Sequence, residues 1–125
     1  MNEKKVKKFE QLLISTGYEG MDNLIKWIRE ESDFYTAPAS TRFHSCHEGG
    51  LLEHSLNVYY CLMAKRESLL WKKKLADYED SELIVSSLLH DLCKANFYGT
   101  EMRNKKNEAG VWEKVPFYTV QDQFP

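Results

Sequence analysis

Between Ser81 and Lys94, Ile84, Val85, Leu88, Leu89 and Leu92 fall at i, i+1, i+4, i+5 and i+8, a spacing that a helix collects on one wide face. Ser87, His90, Asp91 and Lys94 fall at i, i+3, i+4 and i+7, which makes a polar stripe beside that face. The pattern predicts a helix from about Ser81 to about Ala95, with Asp80 or Ser81 as its N-cap. A base, an acid and a cation would then share one side of a mostly buried helix. Charges so close to a core need partners or a metal ion, because an unpaired buried charge is costly.

This helix is the fifth along the chain. Lys4 to Ile14 places Val6, Phe9, Leu12 and Leu13 on one helical face, and Gly17 and Gly20 punctuate its end. A second helix is expected from Met21 to about Glu31, burying Leu24, Ile25, Trp27 and Ile28. Ser32 to Ser40 reads as a loop, since Pro38 disfavours helix at Ala37. A third helix starts near Gly49-Gly50 and reaches about Glu67, and a short fourth covers Ser68 to Tyr78 or continues the third. Strand formers then dominate from Phe97 to Val120, on either side of a polar stretch, Asn104 to Gly110, that ends in glycine. The fold class expected is mainly α, a bundle of about five helices with a C-terminal β-hairpin.

The chain has 125 residues, which fits one domain, and 42% hydrophobic with 13% aromatic content suffices for a packed core. It stops at Phe124-Pro125, directly after an aromatic strand, so the single domain over 1–125 is expected to be incomplete at its C-terminus. A net charge of −2 excludes a global basic field, and the clusters Lys4 to Lys8, Lys72 to Lys74 and Arg103 to Lys106 read as solvated surface. No apolar run approaches a membrane span or a secretory signal, so a cytoplasmic protein with no membrane partner is expected. Cys46, Cys61 and Cys93 are odd in number and lack a Cys-x-x-Cys pair, which argues against a disulfide framework and a structural zinc finger.

The third helix supplies a partner for the polar stripe. His54 has Leu51 at i−3 and Val58 at i+4, so its imidazole projects from a partly apolar surface. With His90 and Asp91 it makes a mixed N/O donor set, suited to Mn²⁺, Fe²⁺, Co²⁺, Ni²⁺ or Zn²⁺ better than to Ca²⁺. The residues alone leave a second reading open. His90 and Asp91 could be a buried hydrogen-bonded pair in a helical interaction domain, and three ligands fall short of a full coordination set. His47 reads as a polar loop histidine, because Gly49-Gly50 separates it from the helix.

Gly49-Gly50-Leu51-Leu52-Glu53-His54-Ser55-Leu56, followed by Leu88-Leu89-His90-Asp91-Leu92-Cys93-Lys94, resembles the HD superfamily of metal-dependent phosphohydrolases. The Gly-Gly-Leu-Leu-Glu-His string is similar to bacterial HD proteins of the 3′→5′ exoribonuclease type. The resemblance covers about Ala37 to Lys94. It implies an HD-domain-like helical bundle holding one or two divalent ions through His54, His90 and Asp91. It also implies that Lys94 lies near the substrate phosphate and that His44 contacts either a metal-ligating side chain or that phosphate. Asp91 and Lys94 are then the catalytic residues, Asp91 orienting the attacking water. The family's last ligand Asp has no match in its expected helix; Asp122 is the only acid near the end.

The activity so implied is hydrolysis of a phosphomonoester or phosphodiester by a metal-activated water. The partner would be a phosphate-containing small molecule or a nucleic-acid end. The tip Arg103-Asn104-Lys105-Lys106, with Trp112 and Tyr118 nearby, suits a nucleotide or single strand by charge and stacking, although such aromatics more often pack a hairpin onto its helices. The alternative is a non-catalytic metal- or nucleotide-binding module that lacks the last ligand.

Overall fold

In the computed structural model, residues 1–41 and 46–121 are described. Along the chain they form α1 (Glu3–Ser15), α2 (Met21–Glu31), α3 (Gly50–Glu67), α4 (Lys72–Leu75), α5 (Asp80–Leu88), one 3-10 turn (Leu92–Lys94), β1 (Tyr98–Lys106) and β2 (Trp112–Val120). The N-cap of α1 is Asn2, whose Oδ1 accepts from the Lys5 amide at 3.1 Å; such caps are worth about 1 kcal/mol. The N-cap of α5 is Glu79 rather than Asp80 or Ser81. Its side chain and that of Glu82 form a reciprocal capping box, which satisfies two otherwise orphaned amides.

The core forms where four helices and one loop converge. Val6, Phe9 and Leu13 from α1, Ile25 and Ile28 from α2, and Leu51, Leu52 and Leu56 from α3 meet Ile84 and Leu88 from α5. Phe34 and Tyr35, from the loop after α2, close the cluster, with the Phe9 and Phe34 rings 5.1 Å apart. Trp27 does not join them and stays 38% exposed, one position off the stripe that Ile25 and Ile28 bury. Only the first half of α3 is buried, and its main helical neighbour is α5. Two backbone bonds aim that buried half: the Gly49 amide donates to Thr36 O and the Leu51 amide to Ala37 O, both at 3.0 Å. Gly49 has φ +80°, a conformation that side chains with a Cβ rarely adopt, so glycine is needed where the chain turns into α3.

The expectation of a mainly α bundle is corrected. Half of the described residues are helical, and two nine-residue strands add an antiparallel hairpin, so the architecture is mixed and helix-rich. Two local events shift the balance. Asn104 to Lys106, expected in a polar loop, pair instead with Lys114 to Trp112 and lengthen the ladder. The turn contracts to Asn107–Val111, where the Asn107 amide donates to Val111 O and Asn107 Oδ1 accepts from the Val111 amide.

The helix expected to run from Ser81 to Ala95 stops at Leu88. In a continuing helix the Ser87 carbonyl would accept from the Asp91 amide. Here the His90 ring takes it, with Nδ1 2.7 Å from Ser87 O. A side-chain donor on a terminal carbonyl ends a helix in this way. His90 and Asp91 therefore lie in the turn after α5, and Lys94 closes the 3-10 turn beyond.

Candidate metal centre

The segment after α5 is anchored at its far end by Asn96, whose φ of +59° is left-handed. Asparagine tolerates that region better than most residues. Its amide donates to Asp33 Oδ1 at 2.6 Å, and its Oδ1 accepts from the Asp33 amide at 3.1 Å. Its Nδ2 donates to Glu31 O at 3.1 Å. This reciprocal clamp ties the end of the segment to the loop after α2, while His90 fastens its start to α5.

Between those anchors, three of the expected ligands converge. His90 Nε2 lies 3.2 Å from Asp91 Oδ2 and 3.3 Å from His54 Nε2, and His54 Nε2 lies 3.5 Å from Asp91 Oδ2. The side chains are 22% (His54), 32% (His90) and 19% (Asp91) exposed, shielded but open to an ion from solvent. With its Nδ1–H donated to the Ser87 carbonyl, a neutral His90 turns the lone pair of Nε2 toward the other two atoms. Acceptor atoms at such distances repel unless a proton or a cation lies among them.

The spacing can be compared with a coordination polyhedron. Ligand bonds of about 2.1 Å give edges of about 3.4 Å in a tetrahedron and about 3.0 Å in an octahedron. The measured separations of 3.2, 3.3 and 3.5 Å fall within or beside that range, so the trio fits three adjacent corners around one ion. Two imidazoles and a carboxylate favour a transition metal over Ca²⁺ or Mg²⁺. The Nδ1–carbonyl bond of His90 is the outer contact that ligating histidines ordinarily make.

Lys94 stands beside the trio. Its Nζ is 3.3 Å from Asp91 Oδ2 and donates to Ala39 O at 3.0 Å. The Tyr98 hydroxyl donates to the same Ala39 carbonyl at 3.2 Å. The Ala39 carbonyl and Tyr98 were not singled out in the sequence, and no side-chain pattern could have flagged a backbone acceptor 55 residues from Lys94. No family model, curated protein or solved structure matches this chain.

His44 and Asp122 lie outside the described residues. Glu53, adjacent to His54 in the Gly-Gly-Leu-Leu-Glu-His string, belongs to a different group: its Oε2 is 3.0 Å from His47 Nε2 and 3.4 Å from Lys5 Nζ. The His47 hydrogen bond holds its carboxyl below the ordinary range, opposed by desolvation and helped by the charge and hydrogen bond of Lys5. His47 is thus an exposed loop histidine paired with Glu53, apart from the trio. All three cysteines are exposed thiols. A cavity of about 650 Å³ opens at the base of β2 between Pro116–Val120 and Thr41, and no trio residue lines it. Tyr118 in its wall has a raised phenol pKa, through burial first and the charge of Glu48 second. No described helix is long and apolar enough to cross a membrane.

Proposed function

We propose that the chain is a metal-dependent phosphohydrolase of the HD type, hydrolysing a phosphate ester at His54, His90 and Asp91. The observation that carries this reading is the convergence of three ligand atoms within 4.8 Å of one another, from α3 and from the turn after α5. Three protein ligands with an open side are the pattern of catalytic rather than structural metal sites. A bound divalent transition metal would lower the pKa of a water and polarise a phosphoryl oxygen.

The remaining work falls to the chain itself. His90, fixed by the Ser87 carbonyl, keeps one ring orientation and one tautomer for coordination. Asp91 supplies the only carboxylate of the described cluster, so it is the group to hold charge and to orient an attacking water. Lys94, held by Ala39 O and Asp91 Oδ2, is pre-placed to offset negative charge that builds on a phosphoryl group. That charge stabilisation requires no new side-chain ordering at the moment of reaction.

Elemental analysis of purified protein tests the site, with the His90→Ala, Asp91→Ala double variant alongside. Near-stoichiometric transition metal in the unmodified chain, lost in the variant together with hydrolysis of bis(p-nitrophenyl) phosphate, is the expected result. Full metal content retained in the variant would refute the ligand assignment.

A further inference from the structure

The hairpin register sorts charge between its two faces. Directly opposed residues of an antiparallel pair point the same way, and alternate residues share a face. The pairs Tyr98↔Val120, Thr100↔Tyr118, Met102↔Pro116, Asn104↔Lys114 and Lys106↔Trp112 therefore lie on one face. It carries two lysines and three aromatic residues, Tyr98, Trp112 and Tyr118, and no carboxylate of the hairpin itself, the charge of Glu48 acting on Tyr118 from the segment before α3. The other face holds Glu101 and Glu113 against Arg103 and Lys105, with Arg103 Nε 3.4 Å from Glu101 Oε1 and Lys105 opposite Glu113. One face is self-neutralised; the other is cationic and aromatic in a chain whose net charge is −2.

The cationic face is open along its outer half, where Trp112 is 66% and Met102 59% exposed. Its inner end is linked to Lys94, beside the candidate metal centre, through a shared backbone carbonyl. Tyr98 donates to the same Ala39 carbonyl as Lys94, and Lys94 lies 3.3 Å from Asp91 Oδ2. From Tyr98 to Lys106 the strand extends about 26 Å. That length accommodates on the order of four nucleotides, the lower end of single-strand site sizes. Flat aromatic side chains accept any base by stacking, and lysines track the phosphates. A duplex cannot stack its bases on such a face without opening.

We propose that this face of the hairpin binds single-stranded nucleic acid and leads its end to the His54–His90–Asp91 centre. The second half of the statement rests on the phosphohydrolase reading, and the first does not. The contact with bases is by Trp112, with Tyr118 and Tyr98 further in. Lys106 and Lys114 each neutralise a phosphate.

Fluorescence anisotropy with a labelled single-stranded 12-mer, in excess chelator so that no turnover occurs, tests the binding. Lys106→Ala, Lys114→Ala on the cationic face is compared with Arg103→Ala, Lys105→Ala on the other, two pairs of equal charge change. The first pair is expected to weaken binding at least tenfold and to flatten the log–log salt slope by about 1.4, as two lost phosphate contacts would. Trp112→Ala is expected to lose on the order of tenfold from stacking alone. The second pair should stay within about twofold of wild type on the same scale. Circular dichroism of each variant verifies that the fold is retained. Equal losses from both pairs, no binding by the unmodified chain, or a duplex 12-mer bound as tightly as the single strand would overturn the proposal. Binding of the expected face dependence by a chain that takes up no metal would uphold the face and refute the metal centre.

Discussion

Asp91→Asn replaces one carboxylate oxygen by an amide of nearly the same shape, and its effect on metal-linked stability can be worked out. Asp91 Oδ2 sits 3.2 and 3.5 Å from the two imidazole nitrogens before any ion is considered, so binding has little ordering to do. Metal affinity should then appear almost whole as stabilisation of the folded state. At free metal 100 times Kd, that stabilisation is about 2.7 kcal/mol. For a chain of this size it raises Tm by about 10 °C. If losing the charged ligand weakens binding a thousandfold, the same metal concentration stabilises the variant by only about 0.06 kcal/mol, under about 1 °C. Without metal, the two proteins should melt within a few degrees of each other. The lost pair with Lys94 is part-exposed, its side chains 31% and 19% accessible, and such pairs contribute at most about 1 kcal/mol. Thermal melts in chelator and in graded Mn²⁺, Ni²⁺ or Zn²⁺ measure both quantities. An equal metal-induced rise in Asp91→Asn, or none in the unmodified chain at millimolar metal, would refute the coordination reasoning.

Asn96→Ala removes the side-chain half of the Asp33 clamp and the Nδ2 bond to Glu31 O, keeps the backbone amide on Asp33 Oδ1, and places a Cβ residue without a polar tip at φ +59°; it should cost about 2 kcal/mol by denaturant titration, and unchanged stability would show those side-chain bonds to be idle. Tyr35→Phe takes away the hydroxyl that donates to Glu10 Oε2 at 2.6 Å, while Arg29 still pairs with that carboxylate, so a loss of about 1.5 kcal/mol is expected. Burial first and the Glu10 bond second push the Tyr35 phenol far above its ordinary range, so an ultraviolet titration should show one fewer ionising tyrosine after Tyr35→Phe only once the fold is lost at high pH. Because the folded Glu53 carboxyl is held below its unfolded value, its contribution to stability is present above the ordinary carboxylate range and is lost as pH falls through the lowered one. Denaturant titrations of wild type and Glu53→Gln should therefore converge toward low pH and separate near neutrality; parallel curves would count against the His47–Glu53–Lys5 group.

Helices α1 and α2 were legible because their stripes are built from local spacing, and Val6, Phe9, Leu13, Ile25 and Ile28 are all buried. Trp27 was misplaced because size and hydrophobicity suggested a core position that its angle on the helix does not give. The end of α5 was not legible. Period counting assumes an unbroken helix, and the break is made by one imidazole reaching back to one carbonyl. Ser87, His90, Asp91 and Lys94 therefore do not share a helical stripe, yet His90, Asp91 and Lys94 still gather, because the turn folds back toward α3 and Ala39. The fold class shifted for a similar reason. Asn104 to Lys106 look like loop by composition, and only their partners 112–114 draw them into the ladder. The Asn96–Asp33 clamp joins residues 63 apart, beyond any local pattern.

His90 divides its two ring nitrogens between unrelated tasks, Nδ1 finishing α5 and Nε2 facing His54 and Asp91. The position is therefore not interchangeable with other coordinating residues. An aspartate could coordinate but would set an acceptor against the Ser87 carbonyl, and a cysteine has only a weak donor to offer it. Asparagine is the informative replacement, since its amide N–H₂ stands close to where Nδ1 was and its side chain brings no ring nitrogen. His90→Asn would then separate architecture from coordination at a residue where alanine removes both at once.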